Sequence, residues 1–423
     1  MKLLLHFSRL FVGNLFIFSG VVKANDPLGF SYKLQEYFTE FGTDWDWLME
    51  IAMPFAAAVC ILEIILGVAV LVGYKMKEVS WILLGMILFF TGLTFASAVF
   101  EIVRSCGCFG DAIPLTPWQS FYKDLILLAL ILILFIKRNT IQPFEDAKPA
   151  LIYFFISLIV MGALSYQLSW NFPLVLTIGV LGANLVMFLI NKNKHALVAV
   201  VVSLIVSTAF SINCVWHLPQ RDFRPYAIGK NLPEQMTLPE DAIQPVYENI
   251  LTYKNKSTGE VKEFTQDNYP WDDDNWEWVN TESKLIKEGD VAKITDFSVV
   301  DNDGNDITEI VNSEDLIFLV VMYDLHKTST NKMDLINDFA KKAEAEGIEF
   351  IGLSAASYEV AEEFRHKNQT PFPIYTTDGI VLKTIIRSNP GLVMMRRGTV
   401  VGKWHNNDIP TFEDVSEEYN VTQ

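Results

Sequence analysis

The sequence predicts a polytopic α-helical membrane bundle of about seven transmembrane helices, followed by a C-terminal α/β unit. Three observations carry that reading. Apolar runs near the roughly 17–25 residues that span a bilayer fall at about 3–23, 51–73, 79–103, 119–136, 149–168, 172–191 and 196–215. The net charge of −17 is divided unevenly, with 13 acidic and 13 basic residues in 1–216 and 37 acidic against 20 basic in the remainder. Past residue 290, short β-branched runs alternate with helical patterns. A neutral apolar half is therefore joined to an acidic soluble half. The acidic excess argues against a nucleic-acid partner, because phosphate binding needs concentrated Lys and Arg.

The first run has two readings. Val22-Lys23-Ala24 fits a small-residue cleavage rule loosely, but Arg9 interrupts the apolar region, so the run is taken as a retained span. Lys75 and Lys77, then Lys137, Arg138 and Lys148, then Lys192 and Lys194 fall in alternate loops. The intervening loops hold Lys33, Arg104 or no basic residue. The positive-inside rule places the first set in the cytoplasm. An odd number of spans then puts residues 217–423 outside. The expected location is the bacterial inner (cytoplasmic) membrane with a periplasmic C-terminal unit.

With that topology, Cys106 and Cys108 lie in the outer loop between spans three and four, within Arg104-Ser-Cys-Gly-Cys-Phe-Gly-Asp111. Cys60 sits toward the outer part of span two and Cys214 ends span seven. No cysteine falls in the soluble half. Two thiols one residue apart in an oxidising compartment are either a structural clip or a redox centre. Gly107 gives the backbone the freedom a Cys-Gly-Cys ring needs. Zinc fits poorly, since it wants four ligands and no His or further Cys lies nearby. Cys106 and Cys108 are the candidate catalytic pair, and Cys60 and Cys214 the candidate resolving thiols. Each of the latter is also explained as a small buried apolar residue.

Ionisable residues inside spans are expensive and mark candidate sites. Glu63 lies mid-span and Arg9 two turns into span one, so the two are a candidate pair across the bundle. Lys23 and Glu101 end their spans near the Cys loop, and Lys123 and Asp124 begin span four just beyond it. A cation near the thiols would favour the thiolate; the competing reading has both lysines snorkelling to the interface. Spans five to seven hold few polar residues, chiefly Gln167 and Asn184, and offer no transport path.

The first span, Arg9-Leu-Phe-Val-Gly13-Asn-Leu-Phe16-Ile-Phe-Ser19-Gly20-Val-Val-Lys23 with Asp26-Pro27 following, resembles the opening of the DoxX and MauE-like membrane proteins. Glu63 and the Cys106-Gly-Cys108-Phe-Gly110 loop continue the pattern over about residues 1–138. The resemblance implies a four-helix membrane bundle associated with thiol redox and periplasmic protein maturation, and a thioredoxin-like partner. Vitamin K epoxide reductase-like and DsbB-like proteins also set cysteines at the outer end of such a bundle and pass electrons to a quinone. A quinone enters here by that analogy alone, since no quinone motif is present.

Residues 149–216 form three further helices, 217–289 a mixed extracytoplasmic segment, and 290–423 the last unit. In the mixed segment, Tyr253-Lys-Asn-Lys-Ser-Thr-Gly-Glu260 reads as a hairpin turn. The aromatic, acidic stretch 268–278 reads as a loop folding back on its own unit or as a docking patch. In the last unit, a strand at Val299-Val300 precedes the Asp-Gly turn 301–306. That turn lacks the glycine position and bidentate Glu of a calcium loop. Strand 316–322, helix 330–346, strand 348–353, helix 357–368, Pro371-Phe-Pro-Ile and the hairpin 389–404 follow. This β-α-β-α-β-β order resembles the thioredoxin-like (redoxin) fold. The chain departs from that family where Cys-x-x-Cys would stand: it reads Asp324-Leu-His326-Lys-Thr328-Ser-Thr330, without a thiol. A lone His326 without an orienting carboxylate is no substitute. Asn389-Pro390 matches the family's substrate-contacting cis-Pro and is the candidate partner-binding element.

Two functional classes follow. In one, the bundle is a thiol-disulfide oxidoreductase and the cysteine-free redoxin unit recruits a periplasmic client or redox partner. In the other, the bundle is an anchor and the redoxin unit docks a partner without chemistry.

Overall fold

The computed structural model describes residues 2–43, 45–100, 107–239, 241–287 and 289–421. Cys106 and Glu101 lie outside the described residues. The N-terminal half is built from α1 (Lys2–Asn25), α2 (Pro27–Glu40), α3 (Asp46–Val72), α4 (Met76–Phe100), α5 (Pro117–Ile136), α6 (Ala147–Gln167), α7 (Phe172–Ile190) and α8 (His195–Trp216). Among the described residues, all of these except α2 are long and apolar enough to cross a membrane, seven in total. The seven apolar runs thus become seven helices, with ends moved by a few residues. The short α2 is an addition that hydropathy missed. Its start obeys local chemistry: Asp26 caps it by accepting from Gly29 N at 2.8 Å, and Pro27 occupies the first turn.

Helices α1 and α3 pack unusually closely. A Cβ on Gly67 would lie 2.6 Å from the Gly13 carbonyl oxygen, and one on Gly20 would lie 2.8 Å from that of Cys60. Small residues at a crossing let backbones approach where the solvent is lipid and no hydrophobic force drives association. Asn184, the polar exception in α7, bonds His195 at the start of α8 (Nδ2···Nδ1 2.9 Å) and so locks that helix pair.

After α9 (Leu232–Met236), strands β1 (Val246–Asn255), β2 (Val261–Phe264) and β3 (Trp276–Lys287) form an antiparallel sheet in the order β2-β1-β3. The hairpin expected near 253–260 is β1–β2. The Trp-rich stretch runs into β3, whose residues from 277 to 287 are exposed throughout.

The last unit comprises α10 (Thr308–Ser313), β4 (Ile317–Val321), α11 (Met333–Ala345), β5 (Glu349–Ser354), α12 (Tyr358–Asn368), β6 (Ile374–Thr376), α13 (Gly379–Ile385), β7 (Gly391–Arg396), β8 (Thr399–His405) and α14 (Phe412–Tyr419). Its sheet runs β6-β5-β4-β7-β8, with β4, β5 and β6 parallel and the β7–β8 hairpin antiparallel. This is the thioredoxin-like arrangement. Strand β4 is buried on both faces, as parallel strands covered by helices are. Phe318 and Val320 enter one apolar layer with Phe339 of α11, while Ile317, Leu319 and Val321 enter another with Leu382 of α13. The Val299-Val300 strand is reduced to isolated bridges from Val300 to Asp306 and Thr376.

The segment leaving α8 is fastened by a buried charge cluster. Asp222 accepts from Arg224 at 2.8 and 2.9 Å and from Lys403 Nζ at 2.7 Å. Those two cations hold the Asp222 carboxyl well below the ordinary carboxylate range, against the opposing effect of burial. A carboxyl depressed in the folded state stabilises fully above its unfolded value near 3.8, and the contribution is lost as pH falls below it. The α/β unit is therefore expected to lose thermal stability below about pH 4. An Asp222→Asn variant should show a flatter acid limb in a pH series of melting curves.

Candidate functional site

The site begins where α1 ends. The close α1–α3 crossing brings Lys23 Nζ to 2.6 Å from Glu63 Oε1, with both side chains only 4% exposed. The ammonium also lies over the rings of Phe30 (5.3 Å) and Phe90 (4.7 Å), which are favourable cation–π contacts. Glu63 Oε2 is buried and has no hydrogen-bond partner among the described residues. Arg9 does not reach Glu63. It sits 14 residues before Lys23 on the same helix, about 21 Å away along the axis. Its guanidinium instead donates to the carbonyls of Val70 (3.2 Å) and Leu71 (3.0 Å), where α3 runs out of helical partners. It lies over Tyr153 and Phe144.

The Cys loop folds over this pair. Gly107 and Gly110 take positive φ (63° and 51°), turning the chain across the helix ends. The Cys108 carbonyl accepts from Ser19 Oγ at 3.1 Å. Lys123 of α5 stands beside Cys108, close enough for the two side chains to interact electrostatically. Lys123 Nζ is also 2.7 Å from Asp124 Oδ1 and lies over the Phe109 ring at 5.2 Å. Asp124 is 1% exposed, and its second oxygen accepts from Thr94 Oγ1 at 3.0 Å. Neither Lys23 nor Lys123 is a fully exposed interfacial lysine.

One cavity of about 40 Å³ brings Cys108, Lys23, Glu63, Lys123 and Asp124 together. That is room for at least one water molecule. Cys60 is fully buried one turn before Glu63, and Cys214 is buried in α8. Both belong to the apolar cluster of the bundle, and neither lines the cavity. Cys60, Cys108 and Cys214 are free thiols.

A second cavity, of about 70 Å³, shares Lys23, Phe30 and Gly107 with the first and lies between the bundle and the α/β unit. Arg387 closes it from the α/β side. Its Nε donates to Asp26 Oδ1 (3.0 Å) and Oδ2 (2.8 Å), its Nη1 donates to the Lys383 carbonyl, and Nη2 stands 3.9 Å from Asp111 of the Cys loop. Beside it, Tyr32 of α2 donates to the Tyr323 hydroxyl at 3.1 Å. Burial pushes both phenols above their ordinary value, so the pair is a neutral O–H···O bond. Asn25 exchanges two hydrogen bonds with the Arg221 backbone (2.7 and 3.1 Å).

Tyr323 immediately precedes the loop that replaces Cys-x-x-Cys, so that end of the redoxin unit is turned toward α2. The Asn389–Pro390 bond is cis. The Asn389 side chain is used within the unit: its Nδ2 donates to the Asp324 carbonyl (2.8 Å) and its Oδ1 accepts from Thr328 (3.0 Å). Pro390 is buried. Sequence reasoning missed Arg387 and Tyr32. Only the Asp26-Pro27 helix-start signature pointed to α2, and nothing local marks Arg387 as a long-range partner.

No curated protein matches the chain. The solution structure of a putative protein disulfide isomerase from Bacteroides thetaiotaomicron resembles part of it, at 17% identity over 30% of this chain and 84% of that one, with a TM-score of 0.26. Residues 247–288, which take in the exposed sheet, match a family described as a domain of unknown function (DUF8463). Residues 1–137, which carry the Lys23–Glu63 pair and the Cys loop, match the family model of the methylamine utilisation protein MauE.

Proposed function

We propose that this multi-pass membrane protein exchanges thiols and disulfides in the bacterial envelope, with Cys106 and Cys108 as its active pair facing the periplasm. The observation that carries the proposal is the cavity that gathers Cys108 with two lysine–carboxylate pairs, Lys23–Glu63 and Lys123–Asp124. A buried thiolate needs such a cation, because burial alone favours the neutral thiol.

The exchange is balanced as follows. A thiolate of a periplasmic partner attacks the Cys106 sulfur of a Cys106–Cys108 disulfide. The S–S bond breaks, a mixed disulfide forms, and the electron pair leaves on Cys108 as a thiolate beside Lys123. A second partner thiolate then attacks the mixed disulfide and releases Cys106. The partner dithiol has lost two electrons and two protons, and the cysteine pair has gained them. A further envelope disulfide returns the pair to its oxidised state by the same steps. The α/β unit, with no thiol of its own, is docked beside the site through Arg387, which lines the neighbouring cavity.

The test is thiol trapping of the full-length protein in cells, with and without prior reduction, alongside a Cys106→Ser/Cys108→Ser variant. Wild-type Cys106 and Cys108 are expected to change state with the redox poise of the envelope, and the double variant to lose all function. An unaffected double variant would sink the proposal. It would favour instead the binding role, for which the solvent-facing β1–β3 sheet with exposed Trp271 and Trp278 is the supporting observation.

A further inference from the structure

Resting on the exchange reading above, we infer that Glu63 is the proton acceptor for Cys108, receiving the thiol proton on Oε2 through water held in the cavity that both residues line. The two buried carboxylates of that cavity are not equivalent. Asp124 has both oxygens engaged, one by Lys123 and one by Thr94. Glu63 is engaged only through Oε1, by Lys23, and its buried Oε2 has no partner among the described residues. A carboxylate oxygen buried without a donor is costly unless water supplies one. The cavity of about 40 Å³ has room for that water.

Charge conservation also selects Glu63. The cavity faces Lys23 from α1, Tyr37 from α2, Glu63 from α3, Lys123 and Asp124 from α5 and Cys108 from the loop, while α4 contributes no titratable side chain to it. With a neutral thiol and phenol, its two cations and two carboxylates cancel. Losing the thiol proton to bulk water would leave a net negative charge in a low-dielectric site. Transfer to Glu63 breaks the Cys108 S–H bond and forms an O–H bond on Oε2, with no electron exchanged. The cavity stays neutral, with Lys23 released from Glu63 to balance the new thiolate. Lys23, Phe30 and Gly107 line both this site and the second cavity. The proton returns from Glu63 to Cys108 when an exchange step releases that sulfur as a thiolate.

The experiment measures Cys108 alkylation by a small neutral reagent against pH, site-resolved by peptide mass spectrometry. It uses full-length protein in lipid nanodiscs in a Cys106→Ser background. Alkylation follows the thiolate fraction, so Lys23→Met/Glu63→Gln, which removes the acceptor without leaving a lone buried charge, is expected to slow it about tenfold at neutral pH, the equivalent of one pH unit. The pH profile should move upward by a similar amount. Asp124→Asn is expected not to slow it. Glu63→Gln alone leaves Lys23 as an uncompensated cation that favours the thiolate, and is expected not to slow it. A folded double variant with the wild-type profile, or equal slowing by Asp124→Asn, overturns the inference. The readout needs no partner. A Glu63 effect with a redox-inert cysteine pair would refute the exchange reading alone, whereas redox activity with an unchanged profile would refute the Glu63 role alone.

Discussion

Replacing Lys23 with Met is expected to destabilise the bundle by about 3–5 kcal/mol, the usual cost of removing one partner from a buried ion pair. The cause is what remains. Glu63 would keep a 4% exposed carboxylate whose Lys23 partner is gone, beside the Phe30 and Phe90 rings that the ammonium now covers. The Met side chain supplies similar bulk, so little of the loss comes from a void. The companion variant separates charge from packing. Lys23→Met/Glu63→Gln should recover most of the loss, because a buried pair exchanged for neutral groups of similar volume is often close to neutral in stability. SDS-driven unfolding followed by circular dichroism measures both. If the double variant is as unstable as the single one, packing rather than charge pairing holds this end of the α1–α3 crossing.

Replacing Arg387 with Ala is expected to weaken docking of the α/β unit on the bundle by about 2–4 kcal/mol. That is the lower part of the range for a broken buried pair, because the Asp26 side chain keeps 20% of its surface in solvent. The guanidinium bonds both Asp26 oxygens and the Lys383 carbonyl and lies over the Tyr32 ring. Arg387→Lys is expected to rescue little, since an ammonium cannot make that two-oxygen contact and stack at once. Hydrogen exchange across α2 and residues 107–111 should accelerate in Arg387→Ala while α6 and α7 stay unchanged. Unchanged exchange in α2 would mean that the tyrosine pair and the Asn25–Arg221 bonds suffice for docking.

The spans and the last unit were legible because their signals are local. An apolar run needs no partner to be recognised, and strand β4 is a continuous apolar run because both of its faces are covered. The site was legible in its membership but not in its pairing. Lys23, Lys123, Asp124 and Cys108 were singled out near one end of the bundle and Glu63 mid-span, and one cavity gathers them. Pairing depends on helix register. Arg9 looked like a partner for Glu63, but the Gly13, Gly20 and Gly67 crossing sets a register that puts Lys23 there. The Arg387–Asp26 pair joins residues 361 positions apart, and no periodicity or motif reports such a contact.

The short hand-over from α8 to the α/β unit has a thermodynamic consequence. Helix α8 ends at Trp216, and Arg221, already bonded to Asn25, comes five positions later. Such a tether reaches at most about 17 Å. It holds the unit at an effective concentration on the order of millimolar beside its own docking surface. A free domain of the same kind would need comparable abundance to compete for the docking surface at α2. Docking of the unit is therefore a unimolecular event within one chain, with an equilibrium independent of how much protein the membrane holds.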